Sequence, residues 1–100
     1  MSLPVEFLSG ADADLQQIFN QLEDYREDFG VEFIMAVDAY LARIAVFPES
    51  APPYIDKVRR QVMRGFPYGI FYEPHPTRIL IAAILDLRQD PEKIRRRLQH

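Results

Sequence analysis

The chain has 100 residues, of which 48% are hydrophobic, enough to form the core of one small domain and too many for a disordered chain. Its net charge of −3 conceals an asymmetry: residues 1–56 carry 11 acidic and 2 basic side chains, a balance of −9, whereas residues 57–100 carry 4 acidic and 10 basic ones, a balance of +6. No cysteine is present, which excludes disulfides and thiolate-bound zinc.

The basic C-terminal half indicates a local anionic partner. The alternative is that the two halves neutralise one another in the folded protein. The first residues lack the basic and long apolar regions of a signal peptide, and the longest apolar run, residues 79–85, is too short to span a bilayer. We therefore expect a cytoplasmic protein without a membrane partner.

The first half of the chain predicts one strand followed by a helical hairpin. Residues 4–8 form the candidate strand. Residues 11–29 and 31–47 each carry apolar side chains at three- and four-residue spacings, with Gly30 as the stop or break between two helices. We read Met35 as part of the apolar core of this hairpin, which needs a flat surface to pack on.

The second half predicts a β-meander. Residues 48–54 are proline-rich and indicate a connector. Strands are expected at residues 57–63, 68–73 and 78–87, and the last is apolar on both faces, which favours a central position in the sheet. Short connections between neighbouring strands make these three antiparallel.

The segment Asp90-Pro91 predicts the start of a short basic helix or extension, because it has a capping residue followed by proline at the first helical position. The expected fold is α+β, in the order β-α-α-β-β-β. It forms a single domain of residues 1–100, with the helical hairpin on one face of a small, mainly antiparallel sheet and the other face partly open. A domain this small buries a modest share of its surface, so a protein partner or a homodimer is expected.

Familiar catalytic and ligand-binding motifs are absent from the sequence. It has no glycine-rich phosphate loop, no His-x-x-x-His pair and no Gly-x-Ser-x-Gly elbow. The two histidines, His75 and His100, lie on a predicted turn and at the C-terminus. We therefore expect neither a metal site nor another cofactor.

A concentration of arginines beside tyrosines is the remaining chemical signal. Arg59 and Arg60 point to opposite faces of an alternating strand, and Arg64 follows at the turn. Tyr68 and Tyr72 share one face of the next strand. Arginines beside exposed tyrosines bind phosphates and stack on bases, which predicts a binding surface.

The end of the last predicted strand adds Asp86 and Arg88, whose side chains point the same way. Two other interpretations stay open: Arg60 or Arg88 pairs with Asp86 as a structural bridge, and Tyr72 is an ordinary half-buried strand residue. Asp86 would serve as a general base if burial raised its pKa, whereas a neighbouring arginine would hold it ionised. The run at residues 95–97 is either a clamp on an anionic target or a solvated end.

The element order and three segments of this chain resemble the RelE/ParE superfamily of bacterial toxins from toxin–antitoxin modules. The segments are the arginine-bearing strand at residues 58–60, the Phe-Pro-Tyr-Gly-Ile-Phe-Tyr sequence at residues 66–72, and the apolar strand that leads into residues 87–91. The resemblance spans residues 7–97. The Phe-Pro-Tyr-x-Ile-x-Tyr pattern is nearer to the ParE-like, plasmid-stabilisation branch.

The resemblance implies one of two activities. ParE-like members are not nucleases and inhibit DNA gyrase, whereas RelE-like members cleave mRNA in the ribosome with lysines, arginines and a late tyrosine. The latter chemistry needs charge stabilisation at a phosphorane together with proton transfer. This chain has no tyrosine beyond Tyr72, and only Lys57 and Lys93 in its basic half, which disfavours RNA cleavage.

We therefore expect a ParE-like toxin that inhibits growth, with DNA gyrase as target. A cognate antitoxin would silence it through an acidic segment that folds along the hairpin and the open sheet face. One alternative is a ribosome-dependent mRNA interferase using Arg59, Arg60, Arg64, Arg88 and Asp86, and another is an inactive orphan of the fold. The expected target-binding residues are Arg59, Arg60, Arg64, Tyr68, Tyr72, Arg88, Arg95 and Arg96.

Overall fold

A computed structural model describes residues 2–99, so Met1 and His100 lie outside the described part of the chain. Three helices and five strands follow in the order β1 (Val5–Phe7), α1 (Ser9–Tyr25), α2 (Phe29–Val46), β2 (Pro53–Ile55), β3 (Val58–Val62), β4 (Tyr68–Pro74), β5 (Ile79–Asp86) and α3 (Pro91–Leu98). None of the helices within residues 2–99 is long and apolar enough to cross a membrane.

The five strands form one sheet in the order β1-β5-β4-β3-β2. Strands β3, β4 and β5 are successive antiparallel neighbours, which confirms the predicted meander, and β1 lies parallel to β5. The α+β class is thus confirmed, with one parallel pair in a mainly antiparallel sheet. Most side chains of β5 are buried, since helices cover both faces of the sheet beside it.

Residues 48–54 are not only a connector, because Pro53–Ile55 forms the edge strand β2 against β3. The sequence pattern did not predict this strand, because prolines are uncommon in paired strands. An edge strand needs only one of its two rows of backbone hydrogen bonds, so proline is tolerated there. The strand predicted at residues 68–73 likewise extends one residue further, because Pro74 is the last residue of β4.

The hairpin turns at residues 26–28 rather than at Gly30, which lies inside α2. The reversal occurs at Asp28, whose φ of 65° is left-handed. Gly30 serves packing, because a Cβ atom there would lie 2.8 Å from both the carbonyl oxygen and the ring of Phe19. Its N–H also donates to the Glu23 carboxylate at 2.6 Å. The glycine therefore lets the two helices approach closely.

Apolar side chains pack on both faces of the sheet. The hairpin covers one face, where the buried cluster includes Ile18, Phe33, Val37, Ile44, Ile70, Tyr72, Ile79 and Ile81. Helix α3 covers part of the other face, where Ile94 packs in a second cluster with Val58, Phe71, Ala83 and Leu85. This second face is therefore less open than the sequence led us to expect.

Helix α3 begins as predicted. The Asp90 side chain accepts a hydrogen bond from the Glu92 N–H at 3.0 Å, and Pro91 occupies the first helical turn. This cap fixes where the chain turns back, and so places Ile94 on the sheet.

Candidate functional site

Most of the positive charge in the C-terminal half is not neutralised by the acidic half. Only two ion pairs join the halves within residues 2–99, Arg78 with Glu6 and Arg97 with Asp14. Within residues 2–99, six basic side chains of the C-terminal half form no ion pair with a carboxylate: Lys57, Arg59, Arg60, Arg64, Lys93 and Arg96. Arg43, in the acidic half, is likewise unpaired there. The charge asymmetry of the sequence is therefore preserved on the folded surface.

A cleft of about 640 Å³ opens where the end of β5 meets α1 and α3. At its wall, the Asp14 carboxylate accepts two hydrogen bonds from the Arg97 guanidinium, at 3.0 and 2.7 Å. It also accepts the backbone N–H of Ile84 at 3.0 Å, at a point on the β5 edge that β1 no longer covers. We call this the β5 cleft, lined by Asp14, Tyr68, Asp86, Arg88, Lys93 and Arg97 among others.

The Asp86 carboxylate is paired with Arg88 at the mouth of the β5 cleft. The guanidinium donates to it at 3.0 and 2.7 Å, and the Arg88 backbone N–H donates at 2.9 Å. The side-chain hydrogen bonds from Arg88 lower the pKa of Asp86. The sequence left open whether Arg60 or Arg88 pairs with Asp86, and the partner is Arg88. An ionised carboxylate with a low pKa is a weak general base at neutral pH.

The two tyrosines of β4 are buried, and the expectation that they are exposed is wrong. Their strand face packs on the hairpin, where Tyr68 lies edge-on to Phe33 at 5.4 Å between ring centroids. Tyr72 is 0% exposed, and its hydroxyl donates to the Pro48 carbonyl at 2.8 Å. Burial raises the pKa of both phenols. Both side chains serve the core.

The arginines around β3 do not form one surface. Arg59 lies on the hairpin face and donates to two backbone carbonyls of residues 49–51, at 3.2 and 2.7 Å. Arg60 lies on the opposite face with its guanidinium 5.0 Å from the ring centroid of Tyr54. Arg64 is exposed in the turn after β3. The alternation of the strand separates the first two, as the sequence predicts.

The basic run of α3 likewise divides according to helical spacing. Arg95 pairs with Glu92, Arg97 anchors the helix to α1, and Arg96 is exposed without a carboxylate partner within residues 2–99. Arg97 was not among the expected site residues. Its four-residue spacing from Lys93 was the available signal, since it places both side chains on one helix face.

A second depression of about 400 Å³ continues the β5 cleft along α3. It shares Lys93 and Arg97 with the cleft and adds Arg96. We call Arg88, Lys93, Arg96 and Arg97 the α3 cationic surface.

An apolar groove of about 940 Å³ lies at the C-terminal end of α2. Its lining includes Phe47, which is 61% exposed, and also Leu3, Val46, Pro48, Pro74 and Pro76. Met35, read as core from its helical spacing, is in fact 67% exposed on the hairpin. Exposed apolar areas of this kind mark sites of protein association.

No protein-family model and no curated protein matches this chain. Among solved structures, it is similar to a chain described as "Chromosomal ParDE TA system from P. aeruginosa", with a TM-score of 0.75 and 15% sequence identity. The match covers 87% of this chain and 98% of that one. At this identity the likeness concerns the fold, which is the ParE-like fold that the sequence segments implied: the chain has the architecture of a protein from a ParDE toxin–antitoxin system.

Proposed function

We propose that the protein is the toxin of a bacterial type II toxin–antitoxin module. It acts in the cytoplasm, binds an essential target, with DNA gyrase as the expected one, and is silenced by a cognate antitoxin. The observation that carries this proposal is the match in fold to a ParDE chain over 87% of the sequence. The Phe-Pro-Tyr-x-Ile-x-Tyr segment at residues 66–72 supports the same assignment.

The chemistry of the β5 cleft favours a binding role over RNA cleavage. General acid–base catalysis works best with groups whose pKa lies near the working pH. The pKa of Asp86 is lowered by Arg88, and that of the buried Tyr68 is raised, so both move away from neutrality. The cleft thus offers positive charge without a proton donor and acceptor tuned for neutral pH.

The target-binding residues that we propose are the arginines with exposed or stacked guanidinium groups. They are Arg60, Arg64, Arg88, Arg95 and Arg96. The other expected residues, Arg59, Tyr68 and Tyr72, bind or pack against other groups of the fold. We therefore assign them a structural role beneath the binding surface. Exposed positive charge of this kind attracts an anionic partner and speeds its association.

The antitoxin that we propose covers the apolar groove with an amphipathic segment. Val46 and Phe47 supply exposed apolar area there. The hairpin itself is rich in carboxylates, so an acidic segment would be repelled from most of it. We therefore expect acidic parts of the antitoxin to bind the α3 cationic surface.

The test is growth arrest on induction without antitoxin, together with gyrase supercoiling in vitro. We expect inhibition of supercoiling at micromolar protein, weakened by Arg88→Ala. The control is Arg26→Ala, because Arg26 forms a similar exposed two-bond pair with Glu32 on the hairpin. Equal effects of the two substitutions would contradict the proposed surface.

Three outcomes separate the proposal from its alternatives. Arrest with codon-phased cuts in primer extension would replace it with mRNA cleavage. Arrest without gyrase inhibition and without cuts would leave a toxin with another target. Unchanged growth in the native host would indicate an inactive orphan of the fold.

A further inference from the structure

The outer edge of β3 is only partly covered by β2. The Arg60 N–H donates to the Pro52 carbonyl at 3.1 Å, and this is where the pairing with β2 ends. In an edge strand, the backbone N–H and C=O groups of every second residue point away from the neighbouring strand, so those of Val62 and Arg64 lie on the same outer edge as those of Arg60. The Arg64 N–H donates to the Tyr40 hydroxyl at 2.8 Å. Between these two satisfied donors, the Val62 N–H has no acceptor within residues 2–99.

The Val62 carbonyl on the same edge is already occupied. The Gln61 side chain donates to it at 2.9 Å. At Val62, therefore, the carbonyl already accepts one hydrogen bond while the N–H has no acceptor within residues 2–99, so an added strand would bind this donor through its own carbonyl oxygen.

Positive charge surrounds this open donor. A cleft of about 630 Å³ is lined by Tyr40, Arg43, Gln61, Val62 and Arg64. Neither Arg43 nor Arg64 pairs with a carboxylate within residues 2–99, and no acidic side chain lines the cleft. The Tyr40 hydroxyl accepts from Arg64 and keeps its own proton for donation.

We propose that this β3 edge site, formed by Tyr40, Arg43, Val62 and Arg64, binds an extended acidic peptide segment. A backbone carbonyl of the segment accepts the Val62 N–H, and a carboxylate of the segment is held by Arg43 and Arg64. Arginine binds carboxylates through paired hydrogen bonds, and a free strand edge accepts an added strand. The unpaired backbone donor favours a peptide over a simple anion.

The source of the segment rests on the proposed function, since a toxin's antitoxin is the partner that this assignment requires. The binding itself does not, and it is measurable with a peptide of arbitrary sequence. The probe is a fluorescein-labelled peptide of alternating glutamate and valine, compared with alternating glutamine–valine and lysine–valine peptides. Binding to the full chain is followed by fluorescence anisotropy at low salt.

We expect the glutamate peptide to bind at least about tenfold more tightly than the glutamine peptide. Arg43→Ala and Arg64→Ala should each weaken its binding about fivefold or more. Lys57→Ala removes an unpaired cation from the other end of β3 and should change the affinity less than about twofold. Equal affinities for the three peptides, or equal losses in all three variants, would overturn the site.

Two substitutions at Val62 test the backbone donor separately. Val62→Pro deletes the N–H on an edge where proline is tolerated, and Val62→Ala shortens the side chain but keeps the N–H. Only the proline variant should lose most of the binding, with both variants checked by circular dichroism. In the wild type, the Val62 amide proton resonance should shift downfield as the glutamate peptide is added.

Inorganic phosphate separates a peptide site from a generic anion site. If phosphate displaces the peptide fully and the Val62 amide does not move, the peptide proposal is wrong. Failure of all these measurements would leave growth arrest and gyrase inhibition untouched. Conversely, an inactive protein that still binds the peptide would contradict only the proposed function.

Discussion

At the residue scale, the arginines of this chain differ in what their guanidinium groups contact. Arg59 is bound to backbone carbonyls, Arg97 to the half-buried Asp14, and Arg88 to a carboxylate two residues away, while Arg64 has no carboxylate partner within residues 2–99. A guanidinium held by backbone or buried groups supports structure, whereas one that stays exposed, as that of Arg88 does beside Asp86, is available to a partner. The sequence alone does not distinguish these roles, because it shows only that each position is an arginine.

The Asp14 carboxylate should be a structural group whose removal destabilises the fold. Its side chain is 13% exposed and it accepts hydrogen bonds from Arg97 and from the Ile84 N–H. We expect Asp14→Ala to lower the free energy of unfolding by about 2 kcal/mol, as for hydrogen bonds to charged groups. Urea denaturation measures this. Asp24→Ala, at an exposed position of the same helix, should stay within about 0.5 kcal/mol, and an equal loss would contradict the role of Asp14.

The Asp86–Arg88 pair should make a small, pH-dependent contribution to stability. Because Arg88 lowers the pKa of Asp86 in the folded protein, the contribution is present above the unfolded value of about 3.9 and is lost as the pH falls through the folded value. The stability difference between the wild type and Asp86→Asn should therefore shrink on acidification below about pH 4. Thermal unfolding at a series of pH values checks this.

The same comparison in an Arg88→Ala background provides the control. Without the guanidinium, the pH-dependent effect of Asp86→Asn should be clearly smaller, since only the backbone N–H of residue 88 still donates to the carboxylate. An undiminished difference would mean that a group other than the Arg88 guanidinium sets the ionisation of Asp86. Exposed pairs are weakened by solvent and salt, so low ionic strength gives the clearest signal.

At the element scale, the helical hairpin depends on close approach of α1 and α2 at Gly30. The sequence presents this glycine as a helix stop, whereas in the structure it lies within α2 against Phe19. Helix periodicity does not reveal the partner of a helix face. The break between the helices is made by Asp28 in the left-handed region, a conformation that aspartate adopts more readily than most residues.

Gly30→Ala distinguishes packing from helix propensity, because the two predict opposite signs. Propensity alone would make alanine more stable by about 0.5–1 kcal/mol. The added Cβ would lie 2.8 Å from the Phe19 carbonyl, so we expect a loss of about 1–3 kcal/mol from overpacking. Ala42→Gly, exposed on the same helix, should cost about 1 kcal/mol by propensity. A stabilised Gly30→Ala variant would show that the helices are free to move apart.

At the whole-molecule scale, a protein of net charge −3 carries unpaired cationic side chains in its C-terminal half. Only two ion pairs link its acidic and basic halves within residues 2–99, and Lys93 and Arg96 on α3 remain without carboxylate partners there. Charges further apart than about 10 Å at 0.1 M salt are largely screened from one another, so an unpaired cation acts on a partner independently of distant carboxylates. Net charge therefore understates the affinity of this molecule for anions.

Retention on heparin tests this separation of charge. We expect the protein to bind heparin at pH 7 and low salt although its pI is about 5.3, and to elute as the salt concentration rises. The double variant Arg88→Ala/Arg96→Ala should elute at clearly lower salt, while Arg26→Ala should elute with the wild type. Failure of the wild type to bind would mean that repulsion by the negatively charged hairpin outweighs the attraction of heparin to the basic side chains.

Much of the fold followed from local patterns, and much of the site did not. The strands β3 to β5, the apolar stripe of each helix and the Asp90 cap are encoded by periodicity and neighbouring residues. The exposed Met35, the edge strand at Pro53–Ile55 and the buried Tyr72 were missed. Each depends on which element covers which face.

The sequence by itself determined the order of the elements other than β2, the antiparallel meander, the interior position of β5 and the uneven distribution of charge, because these depend on residues close together along the chain. Only the tertiary structure decided that Arg97 meets Asp14, 83 residues away, and that Arg43 and Arg64 face the same open strand edge. Such meetings depend on how helices and strands are placed against one another. Side-chain periodicity shows that an element has a buried face, but not which residue of another element will lie against it.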